Sequence, residues 1–151
     1  MVFAQLMIPH HQQAVELANM VPDRSTNPEM LSLAAKIAAG QQPEIDTMKT
    51  QLKQWGINPA EMQHESGHEG LSMQGMVDDT TMLNLRGLKG PDFDILWLTS
   101  MIGHHQGAIE MAKVESEAGK SPQMMGLARS IIAAQQAEID QMKKMLQTLG
   151  G

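Results

Sequence analysis

The sequence contains no cysteine and no tyrosine, and its aromatic residues are Phe3, Phe93, Trp55 and Trp97 alone. Without cysteine there can be no disulfide, thiolate nucleophile, iron–sulfur cluster or cysteine-based zinc site. That absence is compatible with an oxidising compartment but does not by itself identify one. The shortage of aromatics argues against a β-sandwich or barrel. Positive charge is also scarce: 11 Lys and Arg stand against 17 Asp and Glu, a net charge of −6. With no basic run and no aromatic platform for bases, a general nucleic-acid binder is disfavoured. No apolar stretch approaches the roughly 20 residues that span a bilayer. The opening residues, Met1 to Leu6, have neither a basic nor an apolar signal region, so no export signal is visible here. Nucleophile-elbow, P-loop, dinucleotide and His-Glu-x-x-His patterns are all missing. What is abundant is methionine, at 15 residues, together with six histidines, in a 16.5 kDa chain whose length fits one domain spanning residues 1–151.

The strongest positive feature is an ungapped internal repeat at an offset of 94 residues. Met7-Ile8-Pro9-His10-His11-Gln12-Gln13-Ala14-Val15-Glu16 aligns with Met101-Ile102-Gly103-His104-His105-Gln106-Gly107-Ala108-Ile109-Glu110. In the same register Asn27-Pro28-Glu29-Met30 falls on Ser121-Pro122-Gln123-Met124. Gln41-Gln42-Pro43-Glu44-Ile45-Asp46-Thr47-Met48 likewise falls on Gln135-Gln136-Ala137-Glu138-Ile139-Asp140-Gln141-Met142. Each copy (residues 2–56 and 91–150) reads as a helical hairpin. The first helix carries the His pair and ends near Asn19 or Glu117. The second is capped by Asn27 or Ser121, with proline at its first position, and ends at Gly56 or Gly150. Two hairpins predict an all-α, up-down four-helix bundle with pseudo-two-fold symmetry. Residues 57–90 connect the copies as a Gly-, Met- and His-rich loop followed by a short helix over Asp79–Arg86.

A helical wheel places Met7, His11, Ala14 and Ala18 on one stripe, with His10 at its edge. Met101, His105, Ala108 and Ala112 repeat this, with His104 at the edge. On the second helices, Gln41, Ile45 and Met48 face inward with Glu44 at the margin, and Gln135, Glu138 and Met142 take the same places. Buried ionisable groups cost several kcal/mol unless they are paired, hydrogen-bonded or metal-bound. The candidate metal set is therefore His10, His11, His104 and His105 with Met7, Met101, Met48, Met142, Glu44 and Glu138. Imidazole suits copper, zinc, iron and nickel, and thioether sulfur selects Cu(I), so a soft or borderline ion is favoured. The competing reading is a metal-free bundle held by a His/Glu hydrogen-bond network. A di-metal redox enzyme is a weaker alternative, because oxygen ligands are few and Glu-x-x-His is missing beside the His pairs. Pro9 and Gly103 occupy equivalent positions just before the pairs. Either the first helix starts at Pro9, or the apolar stripe carries it upstream through Phe3.

The connector holds a possible second site, Met62, His64, His68, Met73 and Met76, whose bland counterpart is a polar linker. The other methionines fall at helical spacing and read as core filler.

The two His-His blocks, the Gln-Gln-x-Glu-Ile-x-x-Met blocks and the Met-rich middle together resemble the bacterial domain of unknown function 305 family. The resemblance covers nearly the whole chain and implies a ferritin-like bundle. Members are typically exported or lipid-anchored, and some bind copper in the periplasm. It therefore implies a cell-envelope protein that sequesters, buffers or delivers copper, with a copper-transport or acceptor protein as partner. His10, His11, His104, His105, Met7 and Met101 match the family motif. Asp92-Phe93, ahead of the second block, has no counterpart before Met1, so the first helix reads as shortened.

Overall fold

The structure, a computed structural model, describes residues 2–56 and 75–150. Met62, His64, His68 and Met73 lie outside the described residues. Five helices are present among those described: α1 (Val2–Arg24), α2 (Pro28–Gln54), α3 (Asp79–Gly87), α4 (Gly90–Ala118) and α5 (Pro122–Gly150).

The helix starts follow their caps. Asn27 has extended backbone and its side-chain oxygen accepts from the Glu29 and Met30 amides at 2.9 and 3.4 Å. Ser121 Oγ accepts from the Met124 amide at 3.3 Å, and Asp78 opens α3 by accepting from the Thr81 amide at 2.7 Å. At the far end of α2, Gly56 takes φ +79, a left-handed conformation that glycine adopts without a Cβ clash.

Helix α1 differs from expectation at its end. It continues past Asn19 to Arg24 despite Pro22, and it runs through Pro9 from Val2. Each proline removes one backbone hydrogen bond. Burial of Phe3 and Ala4 before Pro9, and of Met20 and Val21 next to Pro22, outweighs that loss.

Helices α1 and α2 form one hairpin, α4 and α5 the other, and α1 packs on α4 between them. The buried apolar residues divide into two clusters. One joins Phe3, Met7 and Met48 to Ala108, Ala112 and Ile131. The other joins Ala14, Leu17 and Val21 to Phe93, Trp97, Met101 and Met142. The start of α1 thus meets the end of α4 and the reverse, so the two helices are antiparallel. Trp97 fixes this register by donating its indole N–H to the Leu17 carbonyl at 2.8 Å. Helix α3 adds Met82 and Leu85 to the second cluster. Arg86 pairs with Glu16 at 3.0 Å, but both are about half exposed, so the pair contributes little.

Leu85 is fully buried, so Leu85→Ala is expected to cost about 2–5 kcal/mol of unfolding free energy in urea. A loss below about 1 kcal/mol would show that α3 is not docked in solution.

Candidate metal centre

The two apolar clusters leave a polar layer between them, and the repeat supplies its members in pairs. Helix α1 contributes His10 and His11, α4 contributes His104 and His105, α2 contributes Gln41 and Glu44, and α5 contributes Gln135 and Glu138. All four imidazoles are inside: His10, His11 and His105 are 0% exposed and His104 is 1% exposed. The helical wheel puts His10 and His104 at the edge of the stripe. The structure buries them instead, because antiparallel α1 and α4 lay these two edges against each other. The His10 and His104 rings meet with centroids 3.8 Å apart and planes tilted by 40°, and the His104 and His105 centroids are 6.4 Å apart.

Each inward histidine is tied to the carboxylate that the repeat places beside it. His11 Nε2 donates to Glu44 Oε1 at 2.8 Å, and His105 Nε2 donates to Glu138 Oε1 at 2.6 Å. The second carboxylate is the more enclosed of the two, with its side chain 10% exposed against 21% for Glu44. In a neutral imidazole, a carboxylate that accepts from Nε2–H leaves Nδ1 as the ring's lone-pair nitrogen. Nδ1 of both His11 and His105 is buried and finds no hydrogen-bond partner among the described residues. The same is true of both ring nitrogens of His104, both amide atoms of Gln41 and Oε1 of Gln135. Burial, then the neighbouring His10, His105 and His11, hold the His104 imidazole well below its ordinary pKa, with a small opposing pull from the His10 backbone.

Sulfur flanks the layer on both sides. Met7 and Met48 belong to one cluster, Met101 and Met142 to the other, and all four are fully buried. Met7 and Met101 lie one helical turn before His11 and His105. Among the described residues no group of three or more His, Asp or Glu is arranged to hold a metal ion by itself. The residues nevertheless fit a soft ion: lone-pair nitrogens without partners, carboxylates behind them and thioethers alongside.

Two features escaped the sequence reading. Asp94, in the first turns of α4, is 3% exposed with Oδ1 unpartnered, and no periodicity marked it. Residues 75–78 cross α4 at Gly103 and pair with Gln13 of α1, a contact that spacing within either copy does not encode. Elsewhere, a groove of about 900 Å³ is lined by Phe3, Gln51, Trp55, Glu115, Gly119 and Pro122 among others. None of its lining residues belongs to the polar layer, so cavity size does not mark the chemistry here. Burial in the groove raises the Glu115 carboxyl above its usual range.

Two outcomes are expected for the metal-free protein. His11 and His105 should carry a proton on Nε2, read from long-range ¹H–¹⁵N couplings; a ring protonated on Nδ1 alone would contradict donation to Glu44 and Glu138. Because the folded pKa of His104 is depressed, its contribution to stability is present above the ordinary value of about 6.5 and lost as pH falls toward the folded value. Thermal melts from pH 7 to pH 5 should therefore show a falling Tm, and the fall should be smaller in His104→Leu. An equal fall in both proteins would remove His104 as its source.

The profile of a family described as a domain of unknown function, DUF305, matches residues 1–146. No curated protein matches the chain. Among solved structures, a DUF305 protein from Streptomyces coelicolor, described as a candidate secreted protein, is 33% identical with a TM-score of 0.90. That match covers 99% of this chain and 92% of the other. A DUF305 fragment from Deinococcus radiodurans is 32% identical with a TM-score of 0.86, covering 97% and 93%. CopM in its Cu(I)-bound form is 33% identical with a TM-score of 0.80, covering 99% and 96%, and CopM is also known in Cu(II)-bound and silver-bound forms. With its family profile matched over nearly the full length and its bundle shared with these relatives, the chain belongs to the DUF305 family.

Proposed function

We propose that this protein binds copper as cargo, Cu(I) foremost, and that it buffers the ion or hands it to an acceptor protein in the cell envelope. The observation that carries the reading is the polar layer. It holds four buried imidazoles, with Nδ1 of His11 and His105 left as lone-pair nitrogens while Glu44 and Glu138 fix their Nε2 ends. The carboxylates then act behind the ligands, orienting the rings and raising their basicity. The ligands proper are imidazole nitrogens from the two pairs, with Met7 and Met101, and Met48 and Met142 beyond them, as sulfur donors. The four buried thioethers beside the imidazoles are the donors that favour copper over zinc or iron. The Cu(I), Cu(II) and silver complexes of CopM support this choice of metal. The description of the Streptomyces coelicolor relative supports a location outside the cytoplasm.

The buried Glu–His pairs also favour a second reading, in which the layer is a metal-free network that specifies the bundle. Anaerobic titration with Cu(I) against a competing chelator separates the two. Changing His10, His11, His104 and His105 together to Ala is expected to weaken binding at least about a hundredfold, some 2.7 kcal/mol. If that variant, shown by circular dichroism to be folded, binds as tightly as wild type, the layer is not the copper site.

A further inference from the structure

The repeat is broken beside the first His pair, where Gln13 stands opposite Gly107 of the second copy. The structure gives Gln13 a use. Its side-chain oxygen accepts from the Val77 amide at 2.8 Å, and its side-chain nitrogen donates to the Val77 carbonyl at 2.9 Å. This two-point clamp holds the backbone at Val77 by both its amide and its carbonyl. Two residues earlier, Gly75 has φ +77 and passes directly over α4. A Cβ on Gly75 would stand 3.1 Å from His104 Cα and overlap the Gly103 carbonyl oxygen. The segment is therefore anchored to both central helices at the level of the polar layer. One anchor is the backbone of His104. The other lies one helical turn beyond His10. Gly107 offers no such amide, so this clamp has no equivalent at the matching position of the second copy.

Met76 is the residue between the two anchors. It differs from Met7, Met48, Met101 and Met142, which are fully buried, in being half-buried. Its long, unbranched, polarisable thioether adapts to irregular surroundings.

We propose that Met76 is a further sulfur ligand for the copper bound by the His layer. Gly75 and Gln13 act as positioning residues, and the ion enters and binds on the strapped side of the pseudo-two-fold. The proposal rests on the His layer being the copper site. It separates Met76 from the possible connector site and assigns it to the bundle. It also gives the site a thioether that solvent can reach, which the four core methionines do not offer.

The test uses the whole chain, with Cu(I) and Cu(II) each titrated against a competing chelator and the sulfur count at bound Cu(I) read by X-ray absorption. Met76→Leu keeps the side chain's size and removes only the sulfur. It is expected to weaken Cu(I) about tenfold, to remove one sulfur from the coordination shell and to leave Cu(II) affinity within about twofold, because thioether discriminates for Cu(I). Gly75→Ala alters no ligand, yet the added Cβ displaces the strap, so it should weaken Cu(I) in the same direction. Wild-type affinity and sulfur count in a Met76→Leu protein, alongside lost binding in the four-histidine variant, would overturn the role of Met76 and leave the His layer standing. Undiminished binding in the four-histidine variant would overturn the His layer and this proposal with it.

Discussion

Four imidazoles buried between two apolar clusters set the terms for the rest of this fold. A buried polar atom without a partner costs about 1–3 kcal/mol, and the layer contains several such atoms. A bundle selected for stability alone would fill the same space with Leu or Ile at no such penalty. Glu44 and Glu138 satisfy one nitrogen of each inward ring and leave the other. The carboxylates sit at the margin of their helices, less enclosed than the rings they hold. Each lies between a buried glutamine and a buried methionine on its own helix. The layer thus runs from carboxylate at its margin to imidazole within, with thioethers on either side, and that donor set suits a soft ion.

The repeat accounts for what is paired and its faults account for what is single. Helix α3 places Met82 and Leu85 in the cluster that holds Trp97 and Met145. By the offset of the repeat, Phe3 and Gln51 stand where Trp97 and Met145 do, and Trp55 stands where Leu149 does. These residues line the open groove. The second copy has an apolar seat filled by α3, whereas the first has a more polar one. Both α3 and residues 75–78 therefore break the symmetry, and both come from the segment that joins the copies.

Much of the architecture was legible from residue type and spacing. Asn27-Pro28 and Ser121-Pro122 marked helix starts that the structure confirms by their cap hydrogen bonds. The stripe of Gln41, Ile45 and Met48 is buried as the wheel indicated. Glu44 and Glu138 were legible as inward carboxylates because their margin positions repeat. The depth of His10 and His104 was not, since a wheel describes one helix, and these rings are buried by the other helix's edge. The true end of α1 was hidden by Pro22, whose local penalty is overridden by the burial of Val21. The strap was illegible for a different reason. A contact between Gln13 and a backbone 64 residues away has no periodicity to announce it.

The two Glu–His bonds each join residues 33 apart, inside one hairpin. The His10–His104 ring contact joins residues 94 apart, across hairpins. By loop-closure entropy the longer connection costs only about 0.9 kcal/mol more, so the difference lies chiefly in order of assembly. Each hairpin can zip and set its own carboxylate–imidazole pair from local contacts, whereas the ring stack waits for the two halves to dock. The layer is therefore complete only in the finished fold. A hairpin formed alone would hold an oriented imidazole, whereas the contact between the His10 and His104 rings exists only where the two hairpins meet.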